Sequence, residues 1–214
     1  MSLPEMLLES ARERESDKIY GAVTALVTNN KDPDGLGRVK VKYPWLSEED
    51  EGYWARITAP MAGKERGFYF LPEVDDEVLV MFEQGDWRFP YVLGALWNGR
   101  DLPPVKNDNG KNDVRMIKSR SGHVVRLTDT DGQEKIEIID RSQRNTMVFD
   151  TAQNTIIITA GQDITLSAKA GTIKLDAQQI EIKSAAGTTI ESGANMEVKA
   201  GIAMNVKGSM VNIN

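Results

Sequence analysis

The chain has 214 residues, a net charge of −6, one histidine and no cysteine. The absence of thiols excludes disulfides and Cys-ligated metals, and a single histidine argues against a His-based metal cluster within one chain. The acidic balance argues against a general nucleic-acid binder, because such proteins need a basic surface to displace counterions. No apolar run reaches the roughly 20 residues that a membrane-spanning helix requires.

Residues 1–17 have the pattern of a short amphipathic helix. Ser2 and Glu5 have the spacing of a capping box, and Leu3, Met6 and Leu7 fall on one helical face. Two interpretations are open for this face. The helix either lies against its own domain or docks onto another protein.

Residues 18–104 contain all four tryptophans and most of the prolines, and they alternate polar and apolar residues between turn signals. The predicted strands are Tyr20–Val27, Arg38–Tyr43, Tyr53–Thr58, Glu77–Phe82 and Tyr91–Ala95. Five short strands in about 85 residues favour a small closed barrel, since closure removes exposed strand edges.

Residues 105–214 contain an internal repeat of apolar pairs spaced i, i+2. The pairs are Ile156/Ile158, Ile164/Leu166, Ile173/Leu175, Ile180/Ile182, Thr188/Ile190, Met196/Val198, Met204/Val206 and Val211/Ile213. Their first members step by seven to nine residues, which defines an octad. A looser lead-in precedes them, formed by Val125/Leu127, Ile136/Ile138 and Met147/Phe149.

A repeat of fixed period demands one structural unit per repeat. Each octad supplies two inward side chains and a polar turn, too little burial to offset the backbone ordering cost of roughly 1–2 kcal/mol per residue. Octads are also too short for the coils of a single-chain solenoid. Three copies winding around one axis solve the problem, because their apolar stripes then meet in the centre. The alternative of an ordinary β-sandwich leaves a sustained octad unexplained.

Two stretches of the middle region carry a specific resemblance. Gly35–Leu46, with the sequence GLGRVKVKYPWL, and Gly67–Asp86, with the sequence GFYFLPEVDDEVLVMFEQGD, resemble the phage baseplate assembly protein V family and the related VgrG spikes of type VI secretion. The match continues through Pro90–Asn98. Asp75 stands where the family usually has glycine, a small departure at a turn.

The resemblance implies an OB-type five-stranded barrel over 18–104 and an intertwined trimeric β-helix over 105–214. It implies a homotrimeric central spike that is no enzyme and needs no cofactor or metal. The spike would be assembled in the cytoplasm as part of a phage tail or injection particle, and contraction would drive it outside or into the target cell through a transiently contacted membrane.

The same resemblance implies two protein partners. VgrG spikes carry a large hub region before the barrel, whereas about 17 residues precede it in this sequence, so we expect a separate hub protein to bind Leu3, Met6 and Leu7. Exposed apolar residues at the needle end favour a PAAR-type tip protein bound to Val211, Asn212, Ile213 and Asn214.

Two other classes of function fit parts of the sequence. A trimeric tail fibre or adhesin would share the needle but usually ends in a receptor-binding head. A nucleic-acid or saccharide-binding OB module would need exposed aromatics beside a basic groove, and we expect that basic residues are not concentrated beside the tryptophans.

Three groups of residues could carry chemistry and are better explained structurally. Asp75, Asp76 and Glu77 are interpreted as a turn that enters a strand, and the loop containing Asp32 and Asp34 matches a cation-binding loop only loosely. His123 begins an alternating strand, although three copies on a trimer axis could still hold an ion.

Overall fold

Short alternating segments make this chain an all-β protein. The computed structural model describes residues 18–46 and 51–213, and in this part the one helical element is a 3₁₀ turn at Glu83–Gly85. No helix among these residues is long and apolar enough to cross a membrane. The predicted helix over 1–17 lies outside the described residues.

Five strands close into a barrel in the order β1-β2-β3-β7-β6. Their bounds are β1 Val23–Asn29, β2 Val39–Lys42, β3 Trp54–Ile57, β6 Glu77–Phe82 and β7 Pro90–Ala95. All neighbours pair antiparallel except β3 and β7, which run parallel. Two two-residue strands, β4 Ala62–Gly63 and β5 Arg66–Gly67, form a separate hairpin.

The barrel core consists mainly of small β-branched residues on alternate strand positions. The fully buried side chains include Val27, Val39, Val41, Val78, Val80 and Val92. Because successive side chains of a strand point to opposite faces, the intervening residues lie on the barrel surface. The narrow interior explains why valine and alanine fill it while the tryptophans stay outside.

The sequence predicted all five barrel strands, and their existence and their closure into a barrel are confirmed. Glu77–Phe82 matches to the residue, and the others differ by one to three residues at their ends. The sequence did not predict the β4–β5 hairpin, because two-residue strands leave no alternation to detect.

A second sheet follows the barrel as a five-stranded antiparallel meander in the order β12-β11-β10-β9-β8. Its strands are β8 Val114–Lys118, β9 Val124–Thr128, β10 Lys135–Ile139, β11 Thr146–Asp150 and β12 Thr155–Thr159. Each strand has five residues, and loops of four to six residues join them. The predicted lead-in pairs therefore lie on hairpins formed within one chain.

The chain divides after Gly161 into two units. The second unit, described as far as residue 213, contains no strand and no helix in its described part. Its intrachain backbone bonds among described residues are sparse, with one from the Gly171 amide to the Ala168 carbonyl at 3.4 Å. The trimeric β-helix expected over 105–214 and the predicted domain boundaries remain predictions.

Candidate functional site

One face of the meander is almost entirely apolar, and we call it the apolar face. It comprises Arg115 and Ile117 of β8, Val125 and Leu127 of β9, Ile136 and Ile138 of β10, Met147 and Phe149 of β11, and Ile156 and Ile158 of β12. Cross-strand pairing aligns these residues in two rows, such as Ile138 opposite both Val125 and Met147.

The apolar face is solvent-exposed in the single chain. Ile138 is 48% exposed and Ile156 is 64% exposed. Nine of its ten residues are apolar, and Arg115, the tenth, lies at the edge strand and pairs with Asp129. A contiguous exposed patch of this kind marks an interaction surface in a soluble protein.

The opposite face of the same sheet is held by a buried ionic group. Glu137 of β10 is 6% exposed and accepts a hydrogen bond from Arg126 of β9 at 2.7 Å, while the Lys135 ammonium lies 3.3 Å away. Burial alone would raise the pKa of Glu137, but the hydrogen bonds from Arg126 and Lys135 lower it below its ordinary value. The charges of Glu137, Arg126 and Lys135 thus have partners within the chain, whereas the apolar face is exposed.

The octad repeat is visible in the geometry of residues 162–213. Backbone bends begin at 161, 169, 178, 185, 193, 201 and 209, each five residues after the first apolar member of an octad. The bends therefore repeat the sequence steps of eight, nine and seven residues, slips included. Sequence and backbone share one period, so each octad is one structural unit.

The predicted core residues are exposed in the single chain, and their exposure repeats with the octads. Ile180 is 52% exposed and Ile182 is 70% exposed, and the corresponding values for Met196 and Val198 are 50% and 68%. The structure places Ile156 and Ile158 on β12 of the apolar face. The others, exposed in the same way, are Ile164, Leu166, Ile173, Leu175, Ile190, Met204 and Val206. Their burial in a trimer stays a prediction.

The predicted docking residues are only partly described. Val211 is 48% exposed and Ile213 is 91% exposed, and Asn212 between them is also exposed. Leu3, Met6, Leu7 and Asn214 lie outside the described residues.

The barrel surface corrects one step of the sequence reasoning. The Arg38 guanidinium lies 5.6 Å and the Lys40 ammonium 5.7 Å from the ring centroid of Trp54, so basic residues do cluster beside a tryptophan in space. The sequence separates them because Lys40 and Trp54 face each other across neighbouring strands.

Both of these cations, Arg38 and Lys40, already form salt bridges with carboxylates of the same chain. Arg38 forms salt bridges to Asp32 at 2.7 Å and to Asp34 at 2.5 Å, and Lys40 binds Glu51 at 2.9 Å. A nucleic-acid groove keeps its cations available for phosphates. This surface therefore gives little support to the nucleic-acid alternative.

The Asp32 loop is a structural unit of the β1–β2 hairpin. The side chain of Asp32 accepts hydrogen bonds from the backbone amides of Asp34, Leu36 and Arg38 at 3.0–3.2 Å, besides the Arg38 side chain. The Arg38 guanidinium holds the pKa of Asp32 well below its usual range. A carboxylate with this many donors is not arranged as a cation ligand.

The other residues considered for catalysis or metal binding also have structural roles. Asp75 occupies a left-handed turn with φ 74°, Asp76 accepts from the Glu73 amide at 2.8 Å, and Glu77 accepts from Asn98 at 2.7 Å. His123 Nδ1 accepts a hydrogen bond from the Arg141 amide at 3.2 Å. Within 18–46 and 51–213, no group of three or more His, Asp or Glu residues could hold a metal ion.

Comparison with known proteins finds that this chain is similar to spike proteins of the type VI secretion system. The curated relatives include the type VI secretion system spike protein VgrG1a of Pseudomonas aeruginosa, 30% identical over 151 residues, which is 63% of this chain and 23% of that protein. VgrG5 of the same organism is 31% identical over 137 residues, covering 58% and 17%. The actin cross-linking toxin VgrG1 of Vibrio cholerae is 33% identical over 75 residues, covering 33% and 7%.

The chain thus spans less than a quarter of the length of these relatives. A family model, described as the type VI secretion system/phage-baseplate injector OB domain, matches residues 23–97. That range begins at β1 and extends past the end of β7, so it contains the whole barrel. The resemblance predicted from the two sequence motifs is confirmed, since residues 23–97 match the model of the injector OB domain and the chain is similar to VgrG spike proteins.

Proposed function

We propose that this chain is the subunit of a homotrimeric central spike in a contractile injection machine or phage tail. The observation that carries the proposal is the unit 162–213, where six of the seven octads leave two apolar side chains exposed, Thr188/Ile190 being the exception, and where the backbone is largely unpaired within the chain. Unpaired backbone groups and exposed apolar pairs both call for further strands. Two more copies of the same chain supply strands of matching period.

The spike would work mechanically, without a cofactor. Sheath contraction pushes the inner tube and the spike at its front through a target membrane. Strands stacked about 4.8 Å apart around a dry core resist axial load through continuous hydrogen bonds. Interwound chains add kinetic stability, because one strand cannot leave alone. The injector OB barrel would form the wider collar behind the needle.

Two contacts would hold the spike in its machine. Residues 1–17, through Leu3, Met6 and Leu7, would dock onto a hub protein. The exposed pair Val211 and Ile213, with Asn212 and Asn214, would bind a PAAR-type tip protein, which would cover apolar surface at that site.

A crossed binding experiment tests both contacts with the hub and tip proteins of the same machine as probes. Deletion of residues 1–17 should reduce hub capture at least tenfold, about 1.4 kcal/mol of binding free energy, and leave tip capture unchanged. The double change Val211→Asp and Ile213→Asp should have the reverse effect, because carboxylates would replace the apolar contact.

Each variant is the control for the other, and light scattering should show both to be trimers. Unchanged hub capture by the deletion variant would reject the N-terminal contact. Unchanged tip capture by the Asp variant would reject the tip contact.

A further inference from the structure

The octads carry a second repeated feature on the side opposite their apolar pairs. Glu181 and Lys183 form a salt bridge of 2.6 Å, and Glu197 pairs with Lys199 in the same way two octads later. Residues two apart in an extended backbone point to the same side, so Glu181 and Lys183 lie on the side opposite Ile180 and Ile182. All four side chains are exposed.

The charges on this outer side alternate in sign from one octad to the next. The residue that follows the second apolar member of each octad is Asp176, then Lys183, Glu191 and Lys199. Their spacings of seven, eight and eight residues follow the octad slips. The alternation begins after Ser167 and stops at Lys207, which repeats the positive sign of Lys199, so it covers four octads.

In the proposed trimer, three chains wind around one axis with one octad of each chain in every layer. Along one side of the needle, an octad of one protomer then lies beside the next octad of its neighbour. Parallel strands are about 4.8 Å apart, so equivalent positions of consecutive octads touch. Asp176 of one chain would meet the residue equivalent to Lys183 on another, and the alternation continues through Glu191 and Lys199.

We propose that these four residues form an inter-chain charge ladder that fixes the register of the three chains. The inference rests on the trimer of the proposed function. A register device is needed because the apolar pairs are nearly equivalent, so a slip of one octad would keep a dry core. A slip that places equal octads side by side would put like charges in contact at all four positions, which is unfavourable.

Three variants separate charge pattern from net charge. K183E with K199E makes all four positions acidic and changes the net charge from −6 to −10 per chain. D176K with E191K makes all four positions basic and changes it from −6 to −2. The four-fold inversion D176K, K183E, E191K and K199E restores alternation and keeps −6.

The readout is the rate at which the trimer dissociates in SDS or denaturant at low ionic strength. We expect both like-charged variants to dissociate at least about tenfold faster than the wild type. The inverted ladder, which loses the in-chain pairs of Glu181 and Glu197, should dissociate more slowly than either of them. At 1 M salt the differences should shrink, because the Debye length falls to about 3 Å. The ladder would be overturned if both like-charged variants dissociated at the wild-type rate, or if the inverted ladder dissociated as fast as the like-charged variants.

Cross-linking reads the register directly, since the chain has no native thiol. Asn205 and Asn212 hold equivalent outward positions in consecutive octads. With N205C and N212C together, oxidation should link three chains covalently, whereas either single variant should stay unlinked. Cross-linking of the single variants in the wild-type background would contradict the one-octad offset.

These experiments distinguish a failure of the charge ladder from a failure of the proposed trimer. A monomeric wild type would remove the proposed function itself. A stable wild-type trimer whose register and dissociation ignore the charges would remove the ladder alone.

Discussion

At the scale of single residues, the β1–β2 hairpin depends on Asp32 more than on its neighbour Asp34. The side chain of Asp32 is 4% exposed and binds three backbone amides and Arg38, whereas that of Asp34 is 65% exposed and binds Arg38 alone. Both carboxylates look equivalent in the sequence. Their difference arises from the turn, which wraps its amides around one of them.

Asp32→Asn should lower the denaturant midpoint of the barrel at neutral pH, and Asp34→Asn should change it little. The folded-state pKa of Asp32 is depressed, so its stabilisation is present above the ordinary value of 3.8 and is lost as the pH falls toward the folded pKa. The gap between wild type and Asp32→Asn should therefore narrow in acid.

Tryptophan fluorescence measures this transition selectively, because all four tryptophans lie between residues 45 and 97. Equal midpoints for the two variants at neutral pH, or a gap that widens in acid, would refute the role of Asp32.

At the scale of elements, spacing decides which strands pair within the chain. The lead-in pairs recur every 11 residues at Val125, Ile136 and Met147, which accommodates a five-residue strand and a six-residue loop. From Ile156 onward the spacing falls to about eight, leaving roughly three residues for each turn. Intrachain hairpins end at the same point.

The sequence predicted the barrel strands and the octads because each follows a simple period. It did not predict the meander as a separate sheet, since its apolar pairs have the same i, i+2 spacing as the octads. It also missed the cations beside Trp54, because Lys40 contacts that ring across a strand pair and not along the chain.

We expect an acidic substitution on the apolar face to disrupt the trimer more than the same substitution on the opposite face of the sheet. Ile138→Asp should reduce the amount of trimer at least tenfold, because it would bury three carboxylates in one apolar interface. Thr155→Asp is the matched control, since Thr155 is exposed on the opposite face of the same sheet.

Size exclusion at matched concentration measures this effect. Retention of the trimer by Ile138→Asp, or equal loss with Thr155→Asp, would show that the apolar face is not the interface.

At the scale of the whole molecule, each of the two units has an exposed apolar surface that requires a partner. The meander exposes an apolar face, and residues 162–213 expose an apolar pair in every octad except Thr188/Ile190, where Ile190 alone is apolar. Neither surface has a partner among the described residues of the single chain. In the proposed trimer, each of these two surfaces would be covered by the equivalent surfaces of the other two copies.

The most direct test of the spike assignment is the solution mass, measured by light scattering coupled to size exclusion and compared with gel migration before and after boiling in SDS. Three chains of 23.7 kDa give about 71 kDa. The assignment predicts this mass, early elution for its size and resistance to SDS until boiling. A compact monomer would contradict it, because the exposed apolar surfaces would then need an explanation other than copies of the same chain.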